Sequence, residues 1–200
     1  YLSAMDIHCM PGNFHQEVTD DDVYAAAVYD RGAYIYIMGG MGPLGDALGQ
    51  MMVGYVQDTF DGFAPKRILD MGCGIGGGLL PFVDAYPDAE VHGIDVATPM
   101  LRYGHARAEA LGRKVRFSQQ NAEHTNFPDA SFDLVMTHIV VHETSQKALR
   151  NILKECRRLL KPGGVTVHCE TPMYDDRLSP FDQAQTDWDT YFNNEPFVGP

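Results

Sequence analysis

The chain has 200 residues, 44% hydrophobic and 21% charged, the balance of one soluble globular domain large enough to bury a core. No apolar run approaches the roughly 20 residues of a membrane-crossing helix. The formal net charge is −12 with no dense lysine–arginine stripe, which argues against a nucleic-acid partner and for a small-molecule one. Cys9, Cys73, Cys156 and Cys169 contain no C-x-x-C pair and read as reduced thiols in a cytoplasmic setting rather than as a disulfide framework or a structural zinc site.

Taken in chain order, the first 42 residues gather Tyr1, Phe14, Tyr24, Tyr29, Tyr34 and Tyr36, and Met38 to Pro43 is a glycine–proline turn. Asp20, Asp21 and Asp22 read as a solvated face or as helix-start charges. Leu44, Leu48, Met51, Met52, Tyr55, Val56 and Phe60 recur at helical spacing. From Lys66 to Glu170, β-rich runs (67–71, 91–94, 115–119, 132–137 and 165–169) alternate with helical stretches (78–86, 98–111 and 145–160). This alternation predicts an α/β fold with a parallel, doubly wound sheet and right-handed crossovers that place helices on both faces. Thr98-Pro99 reads as an N-cap followed by proline. Lys161-Pro162-Gly163-Gly164 reads as a helix stop and tight turn. After Glu170 no strand is evident.

The segment Ile68 to Gly78 runs from a β-rich stretch through glycines into a helix. Glycines there let a ligand approach the backbone, and the helix N-terminus beyond offers free N–H groups. Asp95 closes the next β-run, where a carboxylate can accept both hydroxyls of a ribose. Gly72, Gly74 and Gly77 also satisfy the generic G-x-G-x-x-G pattern, which fits nicotinamide and flavin proteins as well. Thr137 to Glu143 leaves the carboxyl end of the fourth β-run, the end that carries sites in such sheets, and His138 or His142 there suits a general base. His8, Cys9 and His15 match no standard ligand spacing and read as loop residues, so no metal is expected.

Beyond these patterns, Asp70-Met71-Gly72-Cys73-Gly74-Ile75-Gly76 resembles the D-x-G-x-G-x-G signature of class I S-adenosylmethionine-dependent methyltransferases. Gly93 to Met100 is similar to that family's G-x-D-x-S-x-x-M stretch. Asn121-Ala122-Glu123 with Phe127 to Asp133 resembles its D-A-x-x-L-P-F…S-F-D run, and Leu159 to Gly164 its L-K-P-G-G turn. The nearest branch is the small-molecule one that includes ubiquinone- and menaquinone-biosynthesis enzymes.

The resemblance implies a Rossmann-like sheet of order 3-2-1-4-5 with an N-terminal helical lid. It divides the chain into a lid (1–60), a cofactor-binding core (61–170) and the start of a substrate cap (171–200). The family's C-terminal antiparallel strand pair is missing, so a C-terminal part is expected beyond Pro200. It implies S-adenosylmethionine as cofactor. Asp70, Gly72, Cys73, Gly74 and Gly76 would meet its methionine end, and Asp95 its ribose. Val96, Met100, Asn121, Ala122 and Glu123 would meet the adenine, Asn121 standing where the family usually has Asp. Thr137 and His138 would lie near the methyl, and His138 and His142 are the catalytic candidates. The expected reaction is in-line methyl transfer to an oxygen, nitrogen or carbon of a small molecule. The alternatives are a nucleotide-dependent oxidoreductase or a non-catalytic S-adenosylmethionine-binding protein. Self-association into a homodimer is left open.

Overall fold

Ile68, Leu69, Asp70 and Met71 are all fully buried, the mark of a central parallel strand covered on both faces. The computed structural model describes residues 6–171 and 177–197. Tyr1 and parts of the C-terminal segment (172–176 and 198–200) lie outside the described residues. The strand that carries Asp70 is β1 (Arg67–Met71); it is flanked by β2 (Glu90–Asp95) and β4 (Phe132–His138), with β3 (Arg116–Gln119) and β5 (Leu160–Cys169) at the edges. The order is β3-β2-β1-β4-β5 and every pairing is parallel, as the alternating pattern predicts. Asp70 pairs with Gly93 and Met136, and His138 with Cys169, so the carboxyl ends of all five strands share one edge.

Side chains alternate between two apolar layers. Ile68, Val91, Leu134 and Met136 face a core shared with Met52 and Val56 of α2 (Ala47–Thr59), Phe82 of α3 (Leu80–Ala85) and Leu101 of α4 (Thr98–Ala110). Leu69, Met71, Ile94 and Val135 face Ile152, Cys156 and Leu159 of α5 (Gln146–Leu159). Helices therefore cover both faces. Among the described residues no helix is long and apolar enough to cross a membrane.

Two local expectations are corrected, and a helix is found where the sequence shows no strand. Thr98 is the first residue of α4, not its cap; Ala97 precedes the helix without a side-chain cap, and the Asp95 carboxylate takes the Ala97 N–H at 2.9 Å. Lys161 to Gly164 lies inside β5, where the ladder with β4 shifts register between Phe132 and Leu134, so proline and glycine mark a bulge rather than a turn. The C-terminal segment contains a helix, α6 (Pro180–Phe192), capped by the Ser179 hydroxyl.

The N-terminal segment lies against α4. Arg102 reaches Glu17, the Asp21 carboxylate at 2.7 Å and the Asp22 carbonyl at 3.0 Å. Asp22 also accepts the Tyr24 N–H at the start of α1 (Tyr24–Tyr36), and the Tyr103 hydroxyl donates to Asp30 of that helix at 2.8 Å. The Tyr36 hydroxyl donates to Asp189 at 2.6 Å, joining α1 to α6.

Candidate active site

The loop after β1 turns sharply because Gly72 and Gly74 adopt φ of +80° and +50°, which L side chains rarely do. A Cβ at Gly72 would lie 2.3 Å from Val140 Cγ2, whereas one at Gly74 would meet nothing within 4 Å. Gly72 is thus fixed by packing, and Gly74 by the space it leaves open. Gly78, at the far side of the loop, approaches so closely that a Cβ would sit 2.5 Å from the His138 ring. Cys73 is buried and turned toward Gly93, whose Cβ would meet its Sγ at 2.8 Å. Its side chain is packing, and its N–H donates to the Ile94 carbonyl at 2.9 Å.

Two carboxylates sit under this loop. Asp70 is fully buried, and neither oxygen has a hydrogen-bond partner among the described residues. Burial, reinforced by the charge of Asp95, pushes its pKa up to about 8. Such an orphaned buried group costs stability unless a ligand satisfies it. Asp95 is held by the backbone, its Oδ2 accepting from Gly74 N–H and its Oδ1 from Ala97 N–H, each at 2.9 Å. Burial raises its pKa, opposed by these N–H bonds and by the nearby His15.

The other residues expected at the site differ in placement. Val96 is exposed beside Asp95, whereas Met100 is buried with Ala26, Ile75 and Ala97 and braces the site from behind. Asn121 is exposed and turns its own chain, its side-chain oxygen accepting the Glu123 N–H at 2.8 Å. Ala122 packs on the α5 layer, and Glu123 accepts from Asn151 at 2.7 Å. Thr137 is fully buried and bonded to His168 at 2.8 Å, so it faces β5.

His138 ends β4 with Nε2 buried and unpartnered among the described residues, and burial lowers its pKa to about 4, leaving the ring neutral. The next residue, Ile139, has φ +53°, a strained conformation for a β-branched side chain. It swings the short 3-10 turn Val141–Glu143 back over the strand ends. There His142 is buried, and burial is outweighed by the bond and charge of Glu170, so its pKa is raised.

The turn also meets residues from both ends of the chain. His8 Nε2 lies 3.0 Å from Glu143 Oε1, and His8 Nδ1 lies 3.1 Å from Glu195 Oε1. Burial of His8 is outweighed by these carboxylates, and its pKa rises to about 10. Phe14 packs edge-on between His8 and Tyr29, with ring centroids 5.7 Å and 5.8 Å away. Burial first, then the charges of Glu143 and Asp95, raise the Tyr29 pKa to about 12. Cys9 remains exposed, its thiol near the Phe192 carbonyl at 3.4 Å. A depression lined by Val91, His105, Arg113 and Arg116 lies at the amino ends of β2 and β3, away from all these groups.

Sequence reasoning did not single out His8, Glu170, Glu195 or Tyr29 as one cluster. Glu170 was within reach, because it follows β5 at the same edge where His138 follows β4. His8 and Glu195 carry no local signal, since only the tertiary fold brings them together.

Residues 68–164 match the methyltransferase domain family. Demethylmenaquinone methyltransferase of Thermus thermophilus is 40% identical over 109 residues, 54% of this chain and 49% of that protein. Ubiquinone biosynthesis O-methyltransferase of Pectobacterium atrosepticum is 26% identical over 155 residues, 77% of this chain and 60% of that one. The chain spans about half the length of the demethylmenaquinone methyltransferases it matches. Among solved structures, phosphoethanolamine N-methyltransferase 2 of Haemonchus contortus in complex with S-adenosyl-L-methionine shares the fold, with TM-score 0.64 and 22% identity over 88% of this chain and 41% of that one. Nothing among these relatives supports the oxidoreductase alternative. Residues 68–164, which carry strands of the 3-2-1-4-5 sheet and the loop around Gly74, are thus similar to the methyltransferase domain family.

Proposed function

We propose that this protein transfers the methyl group of S-adenosylmethionine to a small-molecule acceptor by in-line displacement. The observation that carries the cofactor assignment is Asp70, a buried carboxylate with both oxygens unpartnered among the described residues. It lies on the strand that leads into the loop of Gly74, where a Cβ would meet nothing, and it feels the charge of the backbone-held Asp95. A ligand with a cationic amino end and a ribose answers both carboxylates, so the residues fit the cofactor.

Asp70 then holds the amino end, the Gly72–Gly76 loop lies along the methionine chain, and Asp95 accepts from the ribose hydroxyls with lone pairs its two N–H donors leave available. Val96 and the Asn121–Glu123 turn border the adenine. The cofactor supplies, when bound, a methyl group on a positively charged sulfur. The chain's own task is to bring the acceptor atom within about 3–3.5 Å in line with it and to keep water out. Residues 1–60 and the segment from 171 onward form the acceptor wall in this proposal, through Phe14, Tyr29 and α6. Of the two candidate bases, His142 is the better proton acceptor because Glu170 raises its basicity. Neutral His138 borders the methyl, its unpaired Nε2 facing acceptor or cofactor.

The net charge of −12 and the methyltransferase relatives favour a small acceptor over a nucleic acid. All four cysteines are free, in keeping with a reducing, cytoplasmic site of action. Titration with S-adenosylhomocysteine tests the cofactor, and a screen of phenol, amine, carboxylate and carbon acceptors with methyl-labelled cofactor tests the reaction. Saturable binding that Asp95→Ala weakens supports the assignment, and absence of binding to the unaltered chain overturns it. Binding without transfer to any acceptor class leaves a non-catalytic cofactor-binding protein.

A further inference from the structure

We propose that His8, His142 and Glu143 bind a divalent transition-metal ion at the acceptor side of the site. One nitrogen or oxygen from each of the three lies within 4.8 Å of the others. Glu143 Oε1 is 3.0 Å from His8 Nε2 and 3.6 Å from His142 Nε2. Bonds of about 2.0–2.2 Å to a metal place neighbouring ligand atoms roughly 2.9–3.5 Å apart, so His8 and Glu143 stand at ligand spacing and His142 needs a small shift to join them.

The outer contacts are those of a metal site as well. His142 Nδ1–H donates to Glu170 Oε1 at 2.6 Å, which fixes the tautomer and leaves the Nε2 lone pair facing Glu143. His8 is held in a related way, its Nδ1 3.1 Å from Glu195 Oε1 and 2.9 Å from the Asn193 side-chain nitrogen, with Nε2 toward Glu143. Metal-binding imidazoles are held in this way, each with its second nitrogen on a carboxylate. Glu170 is itself pinned, its Oε2 accepting the N–H groups of Val141 at 2.6 Å and His142 at 3.2 Å.

Without a metal, protons on the imidazoles bridge them to Glu143, and a cation bound here takes the place of those protons. The five side chains bring three carboxylates against two imidazoles, so the cluster favours positive charge. Two nitrogens and one carboxylate oxygen suit zinc, iron(II) or manganese(II) and leave coordination positions for an exogenous ligand. His142 is only 4% exposed and Glu143 14%, whereas His8 keeps 27%, so the cluster is dry on the protein side and accessible past His8. Phe14 links His8 to Tyr29, with ring centroids 5.7 Å and 5.8 Å away.

An ion here would take an acceptor oxygen or carboxylate as a ligand and lower the proton affinity of an acceptor hydroxyl, whose proton then passes to water, so that His142, as a ligand, is not needed as the base. That role rests on the methyltransferase proposal; binding of the ion does not.

Calorimetric titration of the chelator-treated chain with Zn2+ tests the site, alongside a separate titration with S-adenosylhomocysteine. Substitution with Co2+ gives an independent reading of the unaltered protein, through the visible bands of a low-coordinate nitrogen–oxygen site. Expected are one Zn2+ per chain, affinity lowered roughly a hundredfold by His142→Ala or Glu143→Gln, and a fall of about 10–100-fold with Glu170→Gln. S-adenosylhomocysteine affinity stays unchanged in the same variants, which shows that they fold. No Zn2+ binding, no cobalt bands, or Zn2+ binding indifferent to His142→Ala and Glu143→Gln overturns the metal site. Loss of S-adenosylhomocysteine binding by the unaltered chain, with Zn2+ still bound, overturns the cofactor assignment and leaves the metal site standing.

Discussion

Glu170 holds His142 from two directions: Oε1 takes the Nδ1–H at 2.6 Å while Oε2 takes the His142 backbone N–H at 3.2 Å. One carboxylate thereby fixes both the ring and the turn that carries it. Glu170→Gln keeps the shape but not the double acceptor, so the imidazole loses its fixed orientation. In steady-state kinetics kcat should fall about 10–100-fold while KM for S-adenosylmethionine holds. Equal losses in both parameters would mean that Glu170 supports the fold rather than the acceptor side.

Asp70 gives a prediction with a sign. Its pKa is raised from 3.8 to about 8 in the folded chain, so between those values the unfolded state gives up the proton first and binds fewer protons. The unliganded protein should lose stability as pH rises from about 4 to about 8. Asp70→Asn should remove that slope, raise Tm of the unliganded chain at pH 7, and weaken S-adenosylhomocysteine at least about tenfold through loss of the charged hydrogen bond. Binding to the unaltered protein at pH 7 should release a proton, read as a dependence of the calorimetric heat on buffer. A heat independent of buffer would place the amino end elsewhere.

Gly74 separates space from strain. A Cβ there meets nothing in the unliganded chain, so Gly74→Ala should cost only about 1 kcal/mol, from φ of +50°. In the occupied site the same methyl would project into the cofactor, and affinity should collapse. Thermal melts with and without S-adenosylhomocysteine separate the two effects, and full retention of binding would move the ligand off this loop.

Glu155 makes an acid-sensitive tie remote from the site. Arg158 bonds its carboxylate, burial opposes, and the N–H and hydroxyl of Thr125 add two further bonds, taking its pKa from 4.5 to about 2. Its contribution is complete above about pH 4.5 and disappears as pH falls through about 2. Glu155→Gln should therefore cost about 1–3 kcal/mol at neutral pH, with the gap to the unaltered protein closing in acid. Denaturant titrations at pH 7 and pH 3 measure it, and a gap independent of pH would assign the cost to packing.

The core of the fold was legible because its signals are local. Ile68-Leu69 and Val135-Met136 are apolar on both faces, and the glycines after β1 sit where a strand must turn into a helix. The peripheral helices were less so. In α1 only Ala25 and Ala26 are buried, and in α6 only Thr186, so neither shows an apolar stripe. Thr98 matched the cap pattern, but Asp95 supplies the bond to the helix-entry N–H instead, a competition that composition does not reveal. At the site, Asp70, Gly74 and Asp95 follow from position along a strand–loop–helix unit. His8 and Glu195 meet His142 through tertiary contact alone, with no periodicity or spacing to announce it.

The meeting of His8 with Glu143 and Glu195 sets an order of events during synthesis. The chain leaves the ribosome N-terminus first, so Asp70, the Gly72–Gly76 loop and Asp95 are assembled with His138 once β4 has emerged. His8, made at the outset, must wait for Glu195 before its second nitrogen is held. On the proposed function, the nascent chain would therefore make the residues for the methyl donor well before those of the wall proposed for the acceptor.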